Sequence, residues 1–396
     1  MDRPGPDDKV VTRGTHRVRS LEDTWKAIEP RLADMGITRV ANVTGLDDVG
    51  IPVVMVCRPN ALTLSVSQGK GLTLEAARVS GVMEAVEFFH AEELAAPSPR
   101  VSVRELSSPG AIVDVGGLPL HAATPLDPAR PTAWVEGRDL ASGDSCWVPY
   151  EYVQLGRVPA ERRTFANTSS GLAAGNSLPE ACSHAICELV ERHALSIWIA
   201  MPGELRAATR VELASITDEA CRSLLERLAG AGVAVGVWDI TGEVRIPAFA
   251  CYIAPRTQTP RFLQPAAGFG CHPSREVALA RAITEAAQSR LTHIAGARDD
   301  LTGAQYHEAT RSSFVRHVLD FIEAGAPRPF DSAPTRYERG VSADVEWELG
   351  RLAEAHMPCA VAVDLTRSEL GIPVVRVVIP GLELPGFKLA RTVAIP

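Results

Sequence analysis

The chain has 396 residues, 46% of them hydrophobic, and a formal net charge of −8. This length allows a large core, and the acidic balance without a basic run argues against nucleic-acid binding. Residues 1–20 lack the apolar core of a signal peptide, and no apolar run reaches the roughly 18 residues that cross a bilayer. The composition therefore predicts a cytoplasmic protein that is not embedded in a membrane.

The predicted elements begin after a polar N-terminal segment. Residues 1–20 are expected to be flexible, and 21–396 to form one internally repeated domain. Ser20 with Asp23 resembles a capping box and predicts the start of a helix. Pro30 should kink that helix or end it early, because proline cannot donate the helical hydrogen bond.

Three segments of the chain resemble one another: RLADMGITRVANVTGLDDVGIPVVMVCRP (Arg31 to Pro59), RLAGAGVAVGVWDITGEVRIPAFACYIAP (Arg227 to Pro255) and RLAEAHMPCAVAVDLTRSELGIPVVRVVIP (Arg351 to Pro380). Each runs from the end of a predicted helix through a strand and a polar turn to an Ile-Pro that opens a second strand. Proline is tolerated there because no ladder donor is lost. Two strands joined by a short turn indicate a hairpin. The repeat predicts an α+β fold with repeated helix–hairpin units and mostly antiparallel sheets.

A first acidic helix follows the stretch SVSQGKGLT (Ser65 to Thr73). It is predicted to start after Thr73 as N-cap and to end near Leu94. Lys70 in the Gly-Lys-Gly turn and the N-terminus of this helix both suit a phosphate group. One helical stripe, bordered by apolar residues, carries a hydroxyl and two carboxyl groups, those of Ser80, Glu84 and Glu87.

A second acidic helix lies in GNSLPEACSHAICELVERHA (Gly175 to Ala194). Ser177 is the predicted N-cap, and Glu180 has the position of a capping-box glutamate. Glu188 and Glu191 have no such explanation, because they lie late in the helix, where the helix dipole disfavours negative charge.

A third helix, REVALARAITEAAQSRLTHIAG (Arg275 to Gly296), carries a polar stripe as well. Arg290 lies off this stripe and would have to reach another wall of the same site. The stripe itself consists of Arg281, Glu285, Gln288 and Thr292.

The first two helices carry the same carboxylate pair three residues apart, Glu84 with Glu87 and Glu188 with Glu191. Buried carboxylates need partners, and few Lys or Arg residues lie near them in the sequence. Mg²⁺ binds carboxylate oxygens together with substrate phosphates, so these residues predict a magnesium site. A metallohydrolase with His184 as a further ligand remains an alternative, although a single His without a second one at metal spacing is usually a packing residue.

The motifs GKG, SGVMEAVE, SSGLAAGNSLPEACSHAICELVER and GFGCHPSREVALARAITEAAQSR, in this order and spacing, resemble those of the YcaO family. The resemblance extends from about Val40 to the C-terminus. It implies an α+β fold with internal repeats, and ATP and Mg²⁺ bound in a non-standard site between Glu-bearing helices. It further implies that a peptide-bond oxygen is activated by phosphorylation and replaced by a nucleophile, usually in a ribosomally made precursor peptide.

The resemblance also implies roles for matched residues. Ala173 and Ser170-Gly171 depart from the family pattern, where some relatives have Ser and many read Ser-Asn-Gly; neither departure removes a carboxylate. No side-chain nucleophile is required. The implied magnesium ligands are Glu84, Glu87, Glu188 and Glu191. The implied ATP contacts are Lys70, Ser80, Glu87, Asn176, Glu180, Glu285, Gln288 and Arg290.

The nucleophile is less well determined by the sequence. The C-terminal FKLARTVAIP (387–396) lacks the alternating prolines frequent in azoline-forming members. The stretches GTHRVRSLEDTW (14–25) and ITRVANVTGLDDVGIPVVMVCRPN (37–60) resemble members that work with a TfuA partner and form thioamides. We therefore expect thioamide formation on a precursor peptide with a TfuA-like partner, and a homodimer is compatible with the sequence. An azoline-forming cyclodehydratase, an amidine-forming enzyme and a non-catalytic peptide-binding module remain alternatives.

Overall fold

The computed structural model describes residues 5–94, 100–106, 112–121, 126–159, 163–256, 264–298, 303 and 312–389. None of the helices in this described part combines the length and apolar composition needed to cross a bilayer. The α-helices are α1 (Leu21–Ile28), α2 (Leu74–Glu92), α3 (Tyr150–Val153), α4 (Leu178–Ala200), α5 (Gly203–Ala207), α6 (Glu219–Gly230), α7 (Arg275–Ala295), α8 (Ser312–Glu323) and α9 (Val341–Glu354).

The strands are β1 (Arg39–Asn42), β2 (Val53–Cys57), β3 (Val66–Lys70), β4 (Arg100–Val101), β5 (Pro119–Leu120), β6 (Thr132–Asp139), β7 (Ser145–Pro149), β8 (Leu172–Ala174), β9 (Val233–Asp239), β10 (Ala248–Pro255), β11 (Ala266–Cys271), β12 (Val361–Asp364), β13 (Val374–Val378) and β14 (Lys388–Leu389). Two sheets have three strands, in the orders β1–β2–β3 and β11–β10–β9. A six-stranded sheet has the order β4–β6–β12–β13–β8, with β7 beside β6, and β14 pairs with β5. These strand pairs are antiparallel.

The three similar segments each form the predicted helix and hairpin. Helices α1, α6 and α9 lead into the antiparallel hairpins β1–β2, β9–β10 and β12–β13. The second strand starts directly after Ile-Pro each time, so the proline lies outside the ladder. Helix α1 ends at Ile28, and Pro30 lies in a following 3₁₀ turn. The predicted α+β class with antiparallel sheets is confirmed.

Each hairpin is completed by a third strand that leads into a long helix. β3 leads into α2, and β11 leads into α7. The third strand beside the third hairpin comes from an earlier part of the chain. It is β8, which pairs with β13 and leads into α4. The molecule thus contains three hairpin–strand–helix copies, the third assembled from two separate stretches.

The helices of these copies begin where the sequence predicts. Thr73, Ser177 and Ser274 cap α2, α4 and α7, each accepting a hydrogen bond from a backbone N–H in the first turn. Helix α2 ends at Glu92, close to the expected Leu94. The three helices that carry the polar stripes are therefore confirmed as helices.

Glycines let each third strand approach its helix closely. A Cβ on Gly69 would overlap backbone atoms of Ala77 and Gly81 in α2. Gly268 in β11 meets the backbone of α7 in the same way. Only glycine permits this approach, which brings the strand backbone within hydrogen-bond reach of the helix side chains.

Residues 8–18, here called the N-terminal strap, lie against the body of the protein. The ammonium of Lys9 is 2.5 Å from the Asp344 carboxylate of α9, and both side chains are buried. The strap folds back on itself through a bridge between Val11 and Arg17. Lys9 and Val18 of the strap contact Asp344 and Glu180, which lie far along the chain, and composition cannot show such contacts.

Candidate active site

Helices α2, α4 and α7 surround a cavity of about 840 Å³. This volume lies in the range of small-molecule sites. The residues singled out from the sequence that line it are Lys70, Ser80, Glu84, Glu87, Asn176, Glu180, Glu188, Glu191, Glu285 and Gln288. The structure therefore brings together, around one cavity, side chains that are separated by more than two hundred positions in the chain.

One glutamate in each copy is fixed by the strand that precedes its helix. A carboxylate oxygen accepts a backbone N–H from that strand or from the residue just before it. These bonds run from Gln68 to Glu84 at 2.6 Å, from Gly171 to Glu188 at 3.0 Å and from Phe269 to Glu285 at 3.3 Å. Equivalent bonds in the three copies place three carboxylates around the cavity.

The side chain three residues later points towards the next copy. Glu87 of α2 accepts the N–H of Ala174 in β8 at 2.8 Å. Gln288 of α7 donates to the carbonyl of Gln68 in β3 at 3.4 Å. Glu191 has this position in α4, and its repulsive neighbours include Glu285 of α7. The copies are thus linked in a closed ring, with Gln288 replacing a glutamate.

Burial raises the pKa values of the carboxyl groups in this ring. Burial is the largest cause for Glu84 and Glu188, and it raises the pKa of Glu87 well above its usual range. Burial and repulsion from Glu285 raise the pKa of Glu191 to about 8. Glu191 therefore holds a proton at neutral pH unless a cation compensates its charge.

Lys70 and Arg192 are cations at the ring. The Lys70 ammonium lies 2.6 Å from Glu285, and Arg192 lies 3.7 Å from Glu188. Burial alone would raise the pKa of Glu285, but attraction to Lys70 and Arg192 outweighs it, so this pKa is lowered. Lys70, predicted to contact a phosphate, is held at the cavity wall by this ion pair.

Glu180 is engaged by protein donors at the start of α4. Its carboxylate accepts the backbone N–H of Asn176 at 3.1 Å, the Asn176 amide at 3.0 Å and the N–H of Val18 at 2.8 Å. A capping box predicts a bond from the Ser177 N–H, and the structure shifts that bond by one residue. Glu180 thereby fastens the N-terminal strap to the cavity wall.

Arg290 is not among the residues that line the cavity. Its guanidinium lies 2.8 Å from the carboxylate of Asp47, and both side chains are buried. Asp47 follows the turn that starts the loop of the first hairpin. The structure therefore assigns Arg290 a link between α7 and the first hairpin, and its contact with ATP stays a prediction.

Sequence reasoning missed several cations of the cavity wall. Arg13 and Arg17 come from the strap, and Arg192 follows Glu191 directly. The only signal for Arg13 and Arg17 is a local excess of arginine in RGTHRVR (13–19). His184 also lines the cavity, and burial lowers its pKa well below 6.5.

The ring fits magnesium bound together with a phosphate-bearing ligand. Glu84 and Glu87 each use one oxygen for a backbone N–H, which leaves the other for a cation. Within the described residues, no three Asp, Glu, His or Cys side chains converge into a ready-made metal cluster. Mg²⁺ suits such a site, because it usually retains waters and binds substrate phosphates beside one or two carboxylates. The same geometry gives the metallohydrolase alternative no support.

Comparisons with known proteins find relatives and solved structures that match most of this chain. A protein of Rhizobium leguminosarum bv. trifolii, described as an uncharacterized protein in the tfuA 3′ region, is 38% identical over 91% of this chain and 87% of its own length. The YcaO protein of Methanopyrus kandleri, solved with AMPPCP and Mg²⁺, has a TM-score of 0.76 at 24% identity and 95% coverage of both chains. A heterocyclase solved with substrate and cofactor has a TM-score of 0.79 at 20% identity, covering 96% of this chain but only 54% of the heterocyclase.

The family model that matches the chain covers most of it. The model describes the ATP- and Mg²⁺-binding YcaO cyclodehydratases, and it matches residues 68–383. That range contains α2, α4 and α7 and the residues Gln68, Gly171 and Phe269, whose backbone N–H groups fix one glutamate in each helix. The chain belongs to the YcaO family, whose cofactors are ATP and Mg²⁺.

Proposed function

We propose that this protein uses MgATP to convert a backbone amide of a ribosomally made precursor peptide into a thioamide, together with a TfuA-like partner. The observation that carries the proposal is the ring of buried and half-buried carboxylates in a cavity of about 840 Å³. Its volume accommodates a nucleotide together with a short peptide segment. The similarity to a protein from a tfuA region supports the choice of sulfide as nucleophile.

The residues of the ring act by binding and positioning. Glu84, Glu87, Glu188 and Glu191 are the proposed magnesium ligands, and the backbone bonds to the first three fix their orientation before the ligand arrives. Lys70, already at the wall beside Glu285, is placed to meet a phosphate. The bound nucleotide supplies the phosphoryl group that carries away the amide oxygen, and the metal ions offset the charge of its phosphates.

The protein's own cysteines do not fit the role of nucleophile. Those in the described part of the chain have free thiols. Burial raises the pKa of Cys182 to about 12, and Cys187 has its pKa raised well above the usual value by Cys271 and by burial. Because the thiolate is the reactive form, an external nucleophile is the better fit.

Mass spectrometry of the treated peptide tests the proposal. The full chain, its partner, ATP, Mg²⁺ and sulfide are incubated with the precursor. Exchange of oxygen for sulfur predicts a gain of about 16 Da, dependent on ATP and absent without sulfide, since the cofactor supplies activation and not the sulfur atom.

The azoline-forming alternative is favoured by the heterocyclase among the similar structures. Cyclisation removes water, so a loss of about 18 Da without added sulfide would overturn thioamide formation while retaining amide activation. A peptide that binds tightly but keeps its mass under all these conditions would favour the non-catalytic binding module.

A further inference from the structure

A second and much smaller chamber adjoins the nucleotide cavity at the N-terminal half of α4. Its volume is about 10 Å³, close to the minimum for one water-sized molecule. Four residues line both spaces: Arg17, Glu180, His184 and Arg281. The chamber therefore lies directly beside the cavity in which the nucleotide and the peptide are proposed to meet.

The wall of the chamber contains buried polar side chains, two of which have an atom without a hydrogen-bond partner. His16 and Asp344 are 5% and 2% exposed, and each has a buried atom without a hydrogen-bond partner, Nδ1 and Oδ1 respectively. In His272, Nδ1 accepts the backbone N–H of Ser274 at 3.0 Å. That bond leaves the ring proton of His272 on Nε2, and His272 is one of the residues that line the chamber.

The charges around the chamber are largely compensated. Glu180 is bonded to Asn176, and Asp344 is paired with Lys9. Arg17 lies 3.6 Å from Glu180, and Arg281 donates to the carbonyl of Cys271 at 3.2 Å.

The three imidazoles of the wall are uncharged at neutral pH. Burial first, and nearby Lys and Arg charges second, lower the pKa of His16 to about 3 and those of His184 and His272 well below 6.5. The wall therefore suits a small molecule that can both accept and donate a hydrogen bond.

We propose that this chamber holds one molecule of sulfide, as H₂S or hydrosulfide, beside the nucleotide cavity. This inference rests on the proposed thioamide-forming function. A volume of about 10 Å³ excludes phosphate and amino acids and leaves small hydrides such as water and H₂S as candidate occupants. Cys187 lies in the wall as a free thiol, and a thiol forms no bond to sulfide without an oxidant, so the sulfur is held without a covalent bond.

The reaction that consumes the sulfide balances without an oxidant or a reductant. The sulfur of HS⁻ bonds to the amide carbon, and the bond from that carbon to oxygen breaks. The oxygen leaves with the γ-phosphoryl group as inorganic phosphate, which also takes the proton of HS⁻. ADP is the second product.

Two substitutions of His272 distinguish the role of Nδ1, which accepts the Ser274 N–H, from the proposed role of Nε2–H as a donor to the sulfide. In His272→Asn, the amide oxygen can still accept the Ser274 N–H, but no donor remains at the Nε2 position. In His272→Gln, the longer amide retains a donor near that position. We expect His272→Asn to raise the KM for sulfide about 3- to 10-fold, because one hydrogen bond to the sulfide is lost. The KM for ATP should be unchanged. We expect His272→Gln to keep a KM for sulfide near that of the wild type.

Binding is measured separately from turnover. Without ATP, NaHS should raise the melting temperature of the wild type and of His272→Gln, but not of His272→Asn, relative to NaCl at equal ionic strength. If His272→Asn does not fold, His16→Phe replaces it, because this change removes Nδ1 and retains the ring packed against His272 and Tyr337.

The possible results test the sulfide-binding role of the chamber separately from the proposed thioamide-forming function. Equal sulfide KM values and equal melting shifts in the wild type and His272→Asn would mean that the chamber holds only water, which overturns the inference. A wild type that binds sulfide in this pattern but forms no thioamide would refute the proposed function and support the chamber.

Discussion

At the residue scale, Glu191 shows what a carboxylate of the ring costs the folded protein. It is 8% exposed, and its repulsive neighbours include Glu285 and Glu188. Such a group is costly to keep ionised in the folded protein without a cation. We infer that this cost favours metal binding, because a magnesium ion beside Glu191 would relieve the repulsion between carboxylates that is present in the apo protein.

Glu191→Gln tests that interpretation. The amide keeps the shape and removes the charge, so ATP turnover should fall about 100-fold or more, while the apo protein melts at the same or a higher temperature. ATP hydrolysis and thermal unfolding are the measurements. Glu243→Gln, at an exposed carboxyl near His193, is the matched control and should leave both unchanged. Full ATP turnover in Glu191→Gln would contradict the assignment.

The raised pKa of Glu191 also predicts a pH dependence of stability. Its pKa is about 8 in the folded protein and near 4.5 in the unfolded chain, so between these values the folded state binds more protons. This contribution is complete below pH 4.5 and is lost as the pH rises towards 8, by at most about 1.4 kcal/mol per pH unit. Denaturant unfolding in a chelator should show wild type losing stability relative to Glu191→Gln over this window. Parallel curves for the two proteins would argue against a raised pKa.

Much of the ring was predictable from residue spacing. Glu84 with Glu87 and Glu188 with Glu191 repeat at i and i+3 within apolar sequence, and helical geometry then places each pair on one face. Arg17 was not predictable, because its position depends on a hydrogen bond between Val18 and Glu180, far apart in the chain. The ion pair of Arg290 was not predictable for the same reason, since its buried partner Asp47 lies in another copy of the repeat.

At the scale of elements, the close contact between each third strand and the helix that follows it determines where the carboxylates of the site lie. Hydrogen bonds from strand backbone to helix carboxylates require the two to lie nearly in contact. Gly69 on β3 and Gly268 on β11 permit that contact. A side chain at either position would separate strand and helix and move the carboxylate away from its donor.

Gly69→Ala should therefore destabilise the protein and weaken nucleotide binding. Its Cβ would overlap backbone atoms of α2, which cannot move aside as a flexible side chain can. We expect a loss of about 1–3 kcal/mol in the free energy of unfolding, measured with denaturant. Gly230→Ala is the control, because nothing lies within 4 Å of its Cβ and alanine favours the helix α6. Equal effects of the two changes would refute the close-contact argument.

The hairpins were predictable because polar turns and Ile-Pro pairs are local signals. The order of the copies was not. Strand β8 and helix α4 precede most of the second copy in the chain, yet β8 pairs with β13 near its C-terminal end. Pairing between distant strands has no local pattern, so the ring of three copies is visible only in the folded molecule.

At the scale of the whole molecule, the N-terminal strap connects α9 with the wall of the nucleotide cavity. Lys9 and Asp344 form a buried ion pair between the strap and α9, and Arg13, Gly14, Thr15 and Arg17 of the strap line the nucleotide cavity. The strap therefore couples the cavity wall to the body of the fold.

Lys9→Met should break this coupling. Removal of the ammonium leaves the Asp344 carboxylate buried without its partner, which costs about 3–5 kcal/mol of stability. The double variant Lys9→Met with Asp344→Leu should regain much of that loss, because no unpaired charge remains. Denaturant unfolding measures both, and a double variant no more stable than Lys9→Met would contradict the ion-pair argument.

The central claim is that the carboxylate ring binds MgATP so that an amide oxygen is transferred to phosphate. A precursor peptide with ¹⁸O in the target amide tests this most directly, by mass spectrometry of the inorganic phosphate released during turnover. We predict phosphate heavier by about 2 Da in an amount equal to the modified peptide, because the oxygen leaves with the γ-phosphoryl group. Unlabelled phosphate formed alongside modified peptide would contradict the claim.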